Sequence, residues 1–262
     1  MAIAPALLLL HGAGDDGACW GPFVAALRSH DLADLIVRTP DAPAHGGRRA
    51  EPGHTLALAD QLAEASGHAE QLAQGRGGPI VVGGHSMGSA TALALAAARQ
   101  DLVGGLWLED PPMATSMVEA EAPRNAHGFA HLVELRDWFA DLQAIPLEHV
   151  VAAARADHPS WDPAEYEPWA RAKQAVDVAA FGTPVDWDLS GWPARARAVA
   201  CPVVAAAGQV ELGSILSEAA ERDLSQLPGW SITRLPTGHD VRRDAPGRTA
   251  ELLAGLIHAV SG

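Results

Sequence analysis

The strongest constraint on the fold of this chain is the passage from Pro79-Ile80-Val81-Val82-Gly83 through Gly84-His85-Ser86-Met87-Gly88 into an alanine- and leucine-rich run that reaches Arg99. The first segment is short, apolar and β-branched, which suits a strand buried on both faces of a parallel sheet. The last is dense in strong helix formers, which suits a helix packed close against that sheet. Between them, glycines two residues before and two after Ser86 let the backbone turn sharply without side-chain clash. The serine hydroxyl then stands exposed at the turn, with the helix N-terminus beneath it. Strand, serine and helix in that order are the setting of a catalytic nucleophile, whereas a bare G-x-S-x-G elsewhere is an ordinary loop.

The rest of the chain repeats this alternation. Ala6-Leu7-Leu8-Leu9-Leu10 reads as the first strand, and His11-Gly12-Ala13-Gly14-Asp15-Asp16-Gly17 as a glycine-rich loop leaving its carboxyl end. Such a loop can aim backbone N–H groups at a developing anion, although alone it reads as a plain turn, and it lacks the G-x-G-x-x-G of a dinucleotide site. A helix over 20–30, a strand over 35–41, a loop over 43–53 and a helix over 55–74 follow, the last closed by Gly75-Arg76-Gly77-Gly78-Pro79. A fourth strand over 102–108 runs into Glu109-Asp110-Pro111-Pro112. Strands over 203–208 and 230–235, a helix over 217–227 and a closing helix over 246–260 complete the series. Strands and helices alternating at this spacing predict an α/β fold with a doubly wound, mostly parallel sheet of about six strands. Ligands bind at the carboxyl ends of the strands in such sheets, which is where the His11 loop, Ser86, Asp110 and His239 fall.

Between residues 113 and 197 the rhythm changes, so residues 1–112 and 198–262 are assigned to an α/β core and 113–197 to an inserted helical cap. The insertion holds Trp138, Trp161, Trp169, Trp187 and Trp192 with Phe129, Phe139, Tyr166 and Phe181, on two expected helices over 127–142 and 146–156 followed by a proline-rich tail. These rings either form the insertion's own small core or line the underside of a lid that covers the serine and takes an apolar substrate. His127 and His131 stand at a spacing that can ligate zinc, but with no third ligand nearby they read as helix surface.

Composition narrows the partners. With 262 residues, 48% of them hydrophobic, the chain can bury one sizeable core. Its formal net charge of −14, from 18 basic and 32 acidic residues, disfavours nucleic acid and anionic membrane. Cys19 and Cys201 are too few for a disulfide framework and are read as buried thiols. The apolar opening lacks the basic region and cleavage site of a signal peptide, and no run approaches the roughly 20 residues of a membrane span. The expectation is a cytoplasmic monomer or homodimer that acts on a small apolar molecule.

Leu10-His11-Gly12-Ala13-Gly14, Gly84-His85-Ser86-Met87-Gly88, Leu108-Glu109-Asp110-Pro111-Pro112 and Gly238-His239 together resemble the α/β-hydrolase superfamily, in its order and over nearly the whole chain. The resemblance implies Ser86 as nucleophile, His239 as general base, and an oxyanion hole from the backbone N–H groups of Ala13 and Met87. It also implies that the antiparallel hairpin preceding the His-Gly strand in many relatives is missing here. The third triad member is open. Relatives place it either after the penultimate strand, where this chain reads Gly208-Gln209-Val210-Glu211, or after the strand that follows the serine helix, where it reads Asp110. Asp110 is preferred, Glu211 is the alternative, and Glu109 and Asp240 are weaker candidates. Dehalogenases and epoxide hydrolases of this fold use an aspartate as nucleophile, so Ser86 argues for acyl chemistry, with no metal or cofactor required. The leading expectation is hydrolysis of a small or medium apolar carboxylic ester or lactone. Thioesterase, C–C hydrolase or lyase chemistry on the same triad is the alternative, and a non-catalytic ligand receptor with a decayed triad is an alternative of another class.

Overall fold

The apolar runs read from the sequence pair into one sheet whose side chains sort to two faces. In the computed structural model, which describes residues 4–50, 56–121, 128–182 and 187–261, β1 (Ala6–Leu10), β2 (Ile36–Arg38), β3 (Ile80–His85), β4 (Val103–Glu109), β5 (Val203–Ala207) and β6 (Trp230–Arg234) form a six-stranded sheet. Its order is β2-β1-β3-β4-β5-β6 and every pairing is parallel. Residues of β1 and β3 are buried throughout, as expected of central strands covered on both faces. Strict alternation divides each run: Leu8, Leu10, Val82, Leu106 and Leu108 enter one core cluster, and Leu7, Leu9, Val81 and Trp107 enter the other. At the edge, β2 is shorter than the expected 35–41 and leaves Ile36 46% exposed.

Helices cover both faces. The first core is closed by α2 (Leu58–Arg76) and α3 (Met87–Ala98), the second by α1 (Gly21–Arg28) and α11 (Pro246–Ser261). Ala92 and Ala96 on α3 keep that helix thin, so it lies close to β3 and β4. The short helix α9 (Glu218–Leu224) lies between β5 and β6, and α10 (Val241–Asp244) follows His239.

Within 113–197 the described α-helices are α4 (Met117–Glu121), α5 (Gly128–Gln143), α6 (Leu147–Asp157), α7 (Pro163–Gln174) and α8 (Trp192–Ala198), with short 3-10 turns over Val178–Gly182 and Leu189–Gly191. Helix α7 lies where the sequence reads as a proline-rich tail. Asp162 caps it by accepting from the Ala164 N–H at 2.8 Å, and Pro163 occupies the first turn, where a missing N–H costs nothing. The ends of the insertion belong to the sheet's own core, since Met117 and Ala120 of α4 and Trp192 and Ala196 of α8 join the first cluster. Its aromatic residues divide. Trp161 and Tyr166 pack with Val151 and Trp169 in a cluster of their own, whereas Phe139 and Phe181 pack with Ala44 and Leu56 and against Ala13 of the glycine-rich loop. The side chain of Phe129 lies outside the described residues.

Candidate active site

Ser86 occupies the turn between β3 and α3 with φ 51° and ψ −117°, a conformation that an L-residue adopts only under constraint. The constraint is visible. The Ser86 N–H donates to the Glu109 carbonyl at 3.0 Å, and its own carbonyl accepts from the Ser89 N–H at 2.9 Å. The flanking glycines are required by close backbone approach: a Cβ on Gly84 would lie 2.2 Å from the Gly88 carbonyl oxygen, and one on Gly88 would lie 2.1 Å from that of Leu10. Ser86 is half-buried at this corner while His85 and Met87 on either side are buried.

Asp110 follows β4 at φ 40° and is fully buried. Its carboxylate accepts from the Ser214 hydroxyl and from His239 Nδ1, each at 2.5 Å, and from the Ile215 N–H at 3.0 Å. Of the two leading carboxylates, the structure brings Asp110 to His239 and leaves Glu211 exposed on a short turn over Val210–Leu212. The loop carrying Glu211 supplies Ser214 and Ile215, which hold Asp110. Glu109 and Asp240 turn to arginines, Glu109 to Arg242 at 3.2 Å and Asp240 to Arg243 at 2.5 Å. Burial pulls the His239 pKa down, but the Asp110 hydrogen bond and the charges of Asp110, Asp240 and Glu109 outweigh it, and the ring ends above its ordinary value. His85 Nε2 lies 3.1 Å from the His239 carbonyl and donates to it, fixing the backbone of the histidine loop. Its own ring is held neutral, chiefly by burial and then by His239.

The glycine-rich loop abuts the serine: a Cβ on Gly12 would lie 3.3 Å from Ser86 Cβ. No hydrogen bond engages the N–H groups of Ala13 or Met87 among the described residues, so both are available to an incoming oxygen. Two buried histidines brace the loop. His11 Nε2 accepts from the Ala42 N–H at 2.9 Å, which leaves Nδ1–H to donate to the Gly12 carbonyl at 2.9 Å. His45 Nε2 accepts from the Gly14 N–H at 3.0 Å and its Nδ1 donates to the Pro43 carbonyl at 2.8 Å. Burial lowers both pKa values, that of His45 to about 3, so these bonds persist through neutral pH.

Sequence reasoning missed a buried ionic cluster below these loops. Asp15 accepts from Lys173 at 2.6 Å and from Arg242 and Arg243 at 2.9 Å each, while Arg243 also meets Glu165 at 3.2 Å. Burial opposes ionisation of Asp15, but the three cations outweigh it and hold the carboxyl well below its usual range. Glu109 moves the other way, because burial outweighs Arg242 there. Arg242 also lies 4.2 Å from the Trp20 ring centroid, and Arg243 lies 5.2 Å from that of Trp161. The available signal was Asp162-Pro163-Ala164-Glu165, a helix-start pattern that would have placed Lys173 on a helix.

No group of three or more His, Cys, Asp or Glu side chains is arranged to hold a metal among the described residues, and no helix there is long and apolar enough to cross a membrane. His127 and the side chain of His131 lie outside the described residues. Cys19 is buried as expected, but Cys201, in the turn before β5, is only partly so. Comparison with known proteins agrees with the fold. The model of the alpha/beta hydrolase family matches residues 7–252. Lipase LipV of Mycobacterium tuberculosis (strain ATCC 25618 / H37Rv) is 35% identical over 108 residues, 41% of this chain and 38% of that lipase. An E-2-(acetamidomethylene)succinate hydrolase superposes with a TM-score of 0.69 at 21% identity, over 97% of this chain and 91% of its own. The thioesterase domain from the curacin biosynthetic pathway does so with a TM-score of 0.69 at 17% identity, over 99% and 92%. At such identities the two structures share the fold alone; the family match carries further, and the chain belongs to the alpha/beta hydrolase family.

Proposed function

We propose that this protein hydrolyses small or medium apolar carboxylic esters or lactones through an acyl-enzyme on Ser86. The observation that carries the reading is the buried Asp110 carboxylate against His239 Nδ1, which leaves Nε2 as the basic nitrogen of a histidine one loop away from a strained serine. In the forward step His239 takes the Ser86 proton as Oγ attacks the carbonyl carbon. The tetrahedral oxyanion is received by the Ala13 and Met87 N–H groups, and the imidazolium returns its proton to the departing alkoxide. Water then attacks the acyl-enzyme by the same route. Asp110 holds the imidazole tautomer and stabilises the imidazolium; it does not take the proton. No cofactor enters these steps.

An apolar preference goes with the packing of the insertion on the glycine-rich loop, where buried Phe139 and Phe181 belong to a cluster against which Ala13 packs. The insertion is accordingly read as a cap over the site, and a cytoplasmic location belongs to the same reading. The intact Asp110–His239 pair favours an enzyme over a ligand receptor with a decayed triad. Assays of wild type and Ser86→Ala on a panel of esters, lactones and thioesters test the proposal. The expected outcome is turnover of esters or lactones by wild type, a loss on the order of 10⁶-fold in kcat for Ser86→Ala, and labelling of wild type alone by a fluorophosphonate. Full activity in Ser86→Ala would end it.

A further inference from the structure

We propose that Lys173, on α7 of the insertion, is a positioning residue for the oxyanion hole, aiming the Ala13 N–H through two hydrogen-bonded peptide planes, Gly14–Asp15 and Gly12–Ala13. This rests on the acyl-transfer reading above and adds to it a residue from outside the α/β core.

The relay can be followed atom by atom. Lys173 Nζ donates to the Gly14 carbonyl at 3.1 Å. In a planar trans peptide the C=O and the following N–H point in opposite directions, and there are no cis peptides in the described chain. Holding the Gly14 C=O therefore aims the Asp15 N–H the other way, where it donates to the Gly12 carbonyl at 3.1 Å. The Gly12 C=O also accepts from His11 Nδ1 at 2.9 Å, and it shares its peptide plane with the Ala13 N–H. Fixing the one fixes the other, in a loop whose Gly12 abuts Ser86.

Three further features favour orientation over charge compensation as the role of Lys173. Asp15 also faces two guanidinium groups on Oδ2, which it shares with Glu109, Glu165 and Asp240, so the ammonium on Oδ1 is not its sole counterion. The ammonium is nearly inaccessible, with 5% of its side chain exposed, and lies 4.8 Å from the Trp169 ring centroid, so few other geometries are open to it. Gly14 sits at φ 78°, and a Cβ there would lie 2.3 Å from Phe139 Cζ and 3.2 Å from Lys173 Cδ. Helices α5 and α7 thus press directly on the loop residue they orient, and His45 holds its N–H from the other side. Docking α7 and presenting the oxyanion donor become one event, so a chain without its insertion would lack a properly aimed Ala13 amide.

The test compares wild type with Lys173→Met, which keeps the apolar stem and removes the ammonium. Substrate turnover is read beside inhibition by a trifluoromethyl ketone, which adds to serine and places an oxyanion in the hole. Removing an oxyanion donor outright costs about 10²–10³ in kcat, and misaiming one should cost about 10–100-fold. Lys173→Met is expected to lower kcat by that factor with KM changed less than threefold. The inhibition constant of the ketone should rise in parallel, and Lys173→Arg should recover part of the loss. A folded Lys173→Met with kcat within threefold of wild type, or with the loss confined to KM, would overturn the proposal. If Lys173→Met does not fold, Lys173→Gln, which also lacks the ammonium, is read in the same way; failure of both to fold would assign Lys173 to stability and equally overturn it. A wild type without Ser86-dependent turnover is a different result, since it removes the acyl-transfer reading itself.

Discussion

Asp110 and Asp15 are buried carboxylates at the same end of the sheet, and their charges are compensated in opposite ways. Asp110 receives the Ser214 hydroxyl, the Ile215 amide and the imidazole of His239. Asp15 receives Lys173, Arg242 and Arg243. The first set is neutral except when His239 is protonated, so Asp110 keeps charge to offer the imidazolium that the proposed mechanism forms and discharges. The second set is permanently charged, so Asp15 is locked and serves geometry. Two identical side chains are given different electrostatic settings by what donates to them, and the proposed mechanism uses only the first.

The largest effect that follows is on catalysis at Asp110. Asp110→Asn is expected to lower kcat by on the order of 10⁴ while the protein stays folded, whereas Glu211→Gln, exposed and remote from His239, should stay within twofold of wild type. In wild type kcat/KM should fall on the acid side as His239 protonates, at a pH above the ordinary histidine value near 6.5. Because the Asp110 bond and charge raise that pKa, the residual activity of Asp110→Asn should have its acid limb displaced to lower pH. An active Asp110→Asn beside a crippled Glu211→Gln would reverse the assignment of the acid.

At Asp15 the expected effect is on stability. Asp15→Ala takes from buried Lys173 its carboxylate partner, while Arg242 keeps Glu109 and Arg243 keeps Glu165 and Asp240; breaking a buried ion pair by removing one partner costs about 3–5 kcal/mol, readable as a lower midpoint in urea. The sign with pH is fixed by the depressed pKa of Asp15. Its contribution is complete above the unfolded carboxylate value near 3.9 and is lost as pH falls toward the folded one, so wild type and variant should converge in acid. A constant gap down to low pH would mean that packing, rather than charge, is what Asp15 supplies.

The contrast also separates what the sequence made legible from what it hid. Ser86, His239 and the strands that present them were readable because each obeys a local rule: an apolar run of strand length, small residues where the backbone turns, a histidine after the last strand. Asp110 was readable only as one of several carboxylates, since the decision between it and Glu211 rests on where Ser214 and Ile215 fall, 104 and 105 residues further along the chain. The Asp15 cluster was invisible because its cations come from α7 and α10, and nothing local distinguishes a buried arginine from a solvated one. Pro163 and Pro168 further disguised α7 as a tail, although a proline in the first turn is compatible with a helix.

A smaller loss is expected at Ser214, which touches the Asp110 carboxylate without touching His239. Its hydroxyl donates to Asp110 Oδ1 and lies 3.4 Å from an Arg234 nitrogen, so it is fixed at both ends. Ser214→Ala removes one of the donors that draw charge away from the imidazole. Hydrogen bonds to charged groups contribute about 1.5–3 kcal/mol, but the remaining amide and imidazole share the carboxylate, so a loss in kcat of about three- to tenfold with KM unchanged is expected. The acid limb gives the sharper reading. With one donor gone, more of the Asp110 charge falls on His239, and the apparent pKa should rise, opposite in sign to the shift in Asp110→Asn. A downward shift in both variants would mean that Ser214 keeps Asp110 in place rather than sharing its charge, and Asp110 would then resemble Asp15 in being held for geometry first.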